Sequence, residues 1–213
     1  MKTDDLIAML ASEAVPVESR VWQRRYGLAL CAGVIGAALL LMITLNVRPD
    51  IAEVVMQPSF WAKLAFPGAL AAGALVAAIR LSRPGVALGS VSSMLAAPVL
   101  VVWLLAAIQL ARTEPGGRSV LIWGETWASC PLYVALLSVP AFIALLWVMK
   151  TLAPTRLALA GASAGLLAGA VGAAAYALYC PETGVAFLGI WYLAGMLIPT
   201  TLGAIIGPRL LRW

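Results

Sequence analysis

The sequence predicts an all-α integral membrane protein with six transmembrane helices joined by short loops, and three features carry that expectation. Hydrophobic residues make up 63% of the 213 and charged residues only 11%, where soluble domains carry roughly a quarter. The mean hydropathy is +0.99. The apolar residues fall into runs of the length a span requires, about 20 residues, separated by turns rich in Arg, Lys, Pro and Gly. Six such runs leave no room for a separate soluble domain. The expected organisation is a segment of residues 1–25 followed by a six-helix domain over 26–213.

Residues 1–25 are not a signal peptide, because Asp4, Asp5, Glu13, Glu18, Arg20, Arg24 and Arg25 replace the apolar stretch a signal needs. Thr3 suits a helix cap, with Asp4 and Asp5 in a first turn where the macrodipole favours carboxylates. Leu6, Ile7 and Leu10 then share one face at helical spacing, and Pro16 ends the pattern. A helix of about 12 residues is marginal alone in water. Its apolar face needs either a bilayer surface or a groove on a partner protein.

The first span is expected over residues 26–47, with Cys31 as a small packing residue. Residues 48–62 form a loop whose Phe60 and Trp61 suit the interface. The second span, 63–79, ends in the basic turn 80–85, and the third covers 86–111. The longest loop, 112–131, precedes a fourth span over 132–149. A second basic turn, 150–156, leads to the fifth span over 157–179, and the sixth covers 184–207. Pro98, Pro140 and Pro199 each remove a helix hydrogen bond and are expected to bend their spans. Gly161, Gly165 and Gly169, followed by Gly172, let a neighbouring helix approach closely, as do Ala29, Gly33 and Ala37 in the first span and Gly203 and Gly207 in the sixth.

Lysine and arginine are distributed unevenly between the two sides. One side takes Lys2, Arg20, Arg24, Arg25, Arg80, Arg83, Lys150, Arg156, Arg209 and Arg212; the other takes Arg48, Lys63, Arg112 and Arg118. The positive-inside rule then makes both termini cytoplasmic. Two Cys-Pro pairs, Cys130-Pro131 and Cys180-Pro181, fall on the opposite side, at the ends of the fourth and fifth spans. In a bacterial inner membrane that side is the oxidising periplasm.

Pro131 suits the first turn of the fourth span, which makes Cys130 the expected N-cap. There the helix dipole favours the thiolate. Cys180 closes the fifth span and gains no such help. Three chemistries stay open for the pair: a structural disulfide, a redox-active dithiol, or a thiolate site for soft metal ions or oxidants. Glu182 is a further candidate metal ligand beside Cys130 and Cys180. Histidine is absent, and two thiols fall short of the four ligands of a structural zinc site. No obligatory cofactor is expected.

No basic patch interleaved with aromatics points to nucleic acid. No buried carboxylate, lysine or histidine is expected to interrupt the spans, which disfavours a pump or proton-coupled transporter. The chain does not read as an enzyme. The competing class is a membrane thiol-disulfide redox protein, or a small transporter carrying a structural disulfide.

The opening Met1-Lys2-Thr3-Asp4-Asp5-Leu6-Ile7, the six-span layout, Cys130-Pro131, and Cys180-Pro181-Glu182-Thr183 followed by Phe187 and Trp191-Tyr192-Leu193 resemble the NrsF family of bacterial anti-sigma factors. The resemblance runs over the whole chain. It implies an inner-membrane protein that holds an extracytoplasmic-function sigma factor inactive. In that family two periplasmic cysteines, matching Cys130 and Cys180, are tied to heavy-metal or oxidative stress. The resemblance makes Asp4, Asp5, Leu6, Ile7 and Leu10 the candidate sigma-factor-binding residues, and Cys130 and Cys180 the candidate signal-sensing pair.

Overall fold

The computed structural model describes residues 3, 9, 21–46, 48, 50–83, 85–152 and 154–212. Six helices in it are long and apolar enough to cross a membrane: Trp22–Thr44, Pro58–Leu81, Val91–Arg112, Cys130–Lys150, Leu157–Tyr176 and Val185–Leu210, hereafter the first to sixth spans. Among the described residues there is no strand. In hydrocarbon every backbone polar group must be satisfied within the segment, and helices do this without a partner. Large apolar side chains such as Leu28, Ile35, Ile43, Leu100, Leu104, Ile143 and Trp147 are exposed; in a soluble protein patches of this extent would drive association, and here they match a lipid-facing surface.

The fifth span, at the centre of the bundle, packs against the first, second, fourth and sixth. Its sequence explains that position, since nothing larger than Leu or Tyr occurs between Leu157 and Tyr176. A Cβ at Gly161 would run into the Gly203 carbonyl oxygen, and one at Gly165 into that of Pro199. At Gly169 it would stand 2.9 Å from the Met196 backbone, and at Gly172 2.5 Å from the Val134 carbonyl oxygen. The glycine spacing therefore seats the sixth span on one side and the fourth on another. The first span uses the same device against the fourth, with Gly33 on Ala141 and Gly36 on Pro140. The third span is peripheral and touches the second span and the start of the sixth.

Boundaries differ from the expected ones where caps decide them. The second span begins at Pro58, with Gln57 as N-cap, so Lys63 lies inside it, and Pro67 is a further internal proline. The expected loop 112–131 contains a helix, Pro115–Trp123, opened by Pro115 at its first position. It stops at Gly124, whose φ of 56° lies in the left-handed region that favours glycine. A short helix, Ile51–Val54, sits in the preceding loop on that end. The fifth span closes at Tyr176, three residues earlier than expected, and the sixth continues through a π-helical turn at Leu188–Tyr192.

At the end of the bundle where the first span begins, Arg25 donates to the Thr151 hydroxyl at 3.1 Å. Tyr26 and Ser82 share a hydrogen bond of 2.7 Å. These contacts tie the root of the first span to the ends of the second and fourth. Of the expected amphipathic segment only Thr3 and Met9 are described; Asp4, Asp5, Leu6, Ile7 and Leu10 lie outside the described residues.

Candidate functional site

The opposite end of the bundle holds both Cys-Pro pairs. Cys130 is the first residue of the fourth span, with Ser129 as N-cap, and its N–H donates to the Thr126 carbonyl at 2.9 Å. It is thus one position inside the expected cap, because the turn 124–129 runs into the helix and satisfies that N–H. The thiol stays within the first turn. Cys180 follows the fifth span and donates its N–H to the Tyr176 carbonyl at 3.0 Å. Both side chains are buried, at 0% and 1% exposure, in one cluster with Val134, Tyr176, Phe187 and Tyr192. Both cysteines are free thiols. The pair is brought together, below the surface rather than on it. Cys31 is free and exposed on the first span, so it is not the packing residue its surroundings suggested.

Lys63 changes the chemistry of this cluster. It is 4% exposed, and its Nζ donates to the carbonyl oxygens of Cys180 and Glu182, each at 2.8 Å. The same Nζ stands 5.4 Å from the centroid of the Tyr192 ring. The expectation that no lysine interrupts the spans is therefore wrong. It assumed that the second span starts at Lys63; the helix starts a turn earlier and draws this side chain inside. No carboxylate lies within ion-pairing distance of Lys63 among the described residues, where the ion pair found is Arg48–Asp50. A buried cation without a paired anion is costly. Its two carbonyl partners and an aromatic face supply charge-assisted hydrogen bonds and a cation–π contact instead.

The remaining walls are polar at their tips. The Tyr192 hydroxyl lies beside Cys180 and the Tyr176 hydroxyl beside Thr126, yet neither makes a hydrogen bond of good geometry among the described residues. The Thr126 hydroxyl is 3.9 Å from the Cys180 sulfur. The π turn carries Tyr192 into the cluster, in keeping with the frequent use of such turns at functional sites. Buried hydroxyls without partners are exceptions that call for a reason, and here two of them lie near the two thiols.

Glu182 behaves differently from the thiols. Its carboxylate accepts from the Glu125 N–H at 2.7 Å and fills the space where Gly124 lacks a side chain. It clamps the 124–125 turn, and no group of three or more Cys, Asp or Glu side chains able to hold a metal occurs among the described residues. The soft donors of the site are the two thiols.

Aromatic residues and one glutamine lock the frame around the cluster. Trp191 donates from Nε1 to the Ile122 carbonyl at 2.8 Å and packs with Trp123 and Trp127 at centroid distances of 5.5 and 5.3 Å. Trp103 donates to the Gly189 carbonyl at 3.0 Å. Gln109 accepts the Val185 N–H at 3.1 Å, one of the donors a helix start leaves without an internal partner. Nearby, Arg48 holds Asp50 through two bonds of 2.6 Å and keeps that carboxyl below its usual range.

Comparison with known proteins places the chain in a family. Residues 10–213 match the profile described as "NrsF: Negative regulator of sigma F". The chain is 52% identical, over the full length of both, to the "Probable anti-sigma-F factor NrsF" of Azospira oryzae. It is 38% identical, again over the full length of both, to the "Anti-sigma-F factor NrsF" of Caulobacter vibrioides. No solved structure matches it. With its profile and two full-length relatives in agreement, the chain belongs to the NrsF family.

Proposed function

We propose that this protein is a membrane-bound anti-sigma factor. It sequesters an extracytoplasmic-function sigma factor through residues 1–25 and releases it when Cys130 and Cys180 bind a soft heavy metal or are oxidised. The observation that carries the anti-sigma reading is the full-length match to two relatives named anti-sigma-F factors. The reading makes the protein a regulator rather than an enzyme, seated in the bacterial inner membrane with both termini in the cytoplasm.

Two features support a thiol trigger. The sulfurs share one buried cluster with Tyr176 and Tyr192, beside the Lys63 ammonium, so joining them through a bond or a metal ion alters packing rather than only decorating a surface. The helices they terminate also lead to the other end of the bundle. The fourth span carries the first through Gly33 and Gly36, and Thr151 at its far end holds Arg25, at the root of the segment that binds the sigma factor. Drawing Cys130 and Cys180 together shifts the fourth span against the first. A coupling of about 1–3 kcal/mol is the usual scale for two linked sites, enough to weaken retention by about 5- to 150-fold.

Reporter output driven by the sigma factor, with and without cadmium, tests the trigger. Cys130→Ser and Cys180→Ser each abolish induction, and Cys31→Ser leaves it intact. Full induction in either of the first two rejects the paired-thiol sensor, while raised basal output in neither leaves the anti-sigma reading standing. The orientation rests on the lysine and arginine asymmetry and has its own test. A reporter active only in the periplasm is active when fused after Gly116 or Glu182 and silent after Arg83 or Pro154; the reverse pattern overturns it.

A further inference from the structure

The end of the bundle away from the thiols contains a cavity of about 280 Å³ whose wall carries Arg80, Arg83 and Arg156 together with Thr155 and, among the described residues, no carboxylate. The arginines come from three places in the chain: the end of the second span, the turn that follows it, and the residue that opens the fifth span. Two of them are held in position. Arg80 donates from Nη1 to the Leu88 carbonyl at 2.6 Å, and the Arg83 guanidinium lies 4.8 Å over the Trp22 ring. No ion pair to any of the three occurs among the described residues.

Three guanidinium groups around one small cavity repel each other unless an anion sits between them. Guanidinium recognises phosphate through paired N–H donors in a fixed fork, and the two groups already held by their own contacts lose less entropy on binding. The rest of the wall, including Leu81, Val86 and Ala87, is apolar, as a site receiving the neck of a lipid would be. The cavity lies where two spans end, at the level of lipid headgroups, and basic pockets between transmembrane helices hold anionic headgroups. We propose that Arg80, Arg83 and Arg156 form a binding site for the phosphate of an anionic phospholipid headgroup, bracing the second span against the fifth.

Native mass spectrometry of the full chain in detergent, titrated with phosphatidylglycerol or phosphatidylcholine, tests this assignment. The expected result is preferential retention of phosphatidylglycerol, weakened roughly a hundredfold in Arg80→Gln/Arg83→Gln/Arg156→Gln and about fivefold in Arg156→Gln alone. Arg156 is exposed and makes no side-chain hydrogen bond among the described residues, so the single variant carries the test should the triple fail to fold. Millimolar inorganic phosphate is expected to leave the lipid bound. Equal retention of both lipids, an unchanged constant in Arg156→Gln, or displacement by free phosphate would each overturn the headgroup site.

Discussion

Alanine at both Leu6 and Leu10 is expected to release the sigma factor while the six spans still insert. In the proposed complex these leucines and Ile7 enter an apolar groove on the sigma factor, with Asp4 and Asp5 meeting basic residues at its rim. Burying a leucine side chain is worth about 2 kcal/mol, so losing two costs roughly a thousandfold in affinity. Co-purification of the sigma factor with the full-length membrane protein is the measurement, alongside constitutive reporter output in cells. Asp4→Asn and Asp5→Asn should behave otherwise, slowing association and flattening its salt dependence more than they weaken the complex. Wild-type co-purification of the double leucine variant rejects the assignment and favours a helix lying on the bilayer.

The six spans were legible because the bilayer imposes a single length and a single composition on each of them. The close approach of the fifth and sixth spans was legible for a related reason: Gly161, Gly165 and Gly203 announce it by lacking side chains. The meeting of Cys130 and Cys180 followed from topology, since each ends one of two consecutive antiparallel spans. What the sequence hid depends on rotation and on exact starts. Whether Lys63 opens the second span or lies in its second turn depends on Pro58, five residues upstream in a stretch that reads as an interfacial loop. The helix Pro115–Trp123 is masked by Pro115-Gly116-Gly117, a run that signals a turn. The π turn at Leu188–Tyr192 leaves no mark in hydrophobic periodicity, yet it helps bring Tyr192 to the thiols. Glu182 shows the limit of proximity in sequence: two residues from Cys180, its carboxylate serves the 124–125 turn.

Replacing Lys63 with methionine is expected to unfasten the segment that carries Cys180. The substitution keeps a flexible stem of similar length and removes the donor to the Cys180 and Glu182 carbonyls. A hydrogen bond to a charged group contributes about 1.5–3 kcal/mol, and carbonyls left buried without a donor add a penalty. Relief from desolvating the ammonium offsets part of that loss. A net destabilisation of about 2 kcal/mol is the expected balance, confined to the segment 180–182 because the spans on either side keep their packing. Cys180 is buried at 1% exposure, so a thiol reagent reaches it through local opening, and 2 kcal/mol raises the open population about 30-fold. The measurement is the rate of maleimide labelling at Cys180 with Cys31 and Cys130 replaced by serine, in Lys63, Lys63→Met and Lys63→Arg proteins. Arginine carries the charge and donors needed to restore much of the protection; methionine does not. Were Lys63 only an interfacial lysine resting its stem on the protein, its loss would leave Cys180 as slow to label as before. That result would remove Lys63 from the thiol site and leave the pairing of Cys130 with Cys180 to stand on its own test.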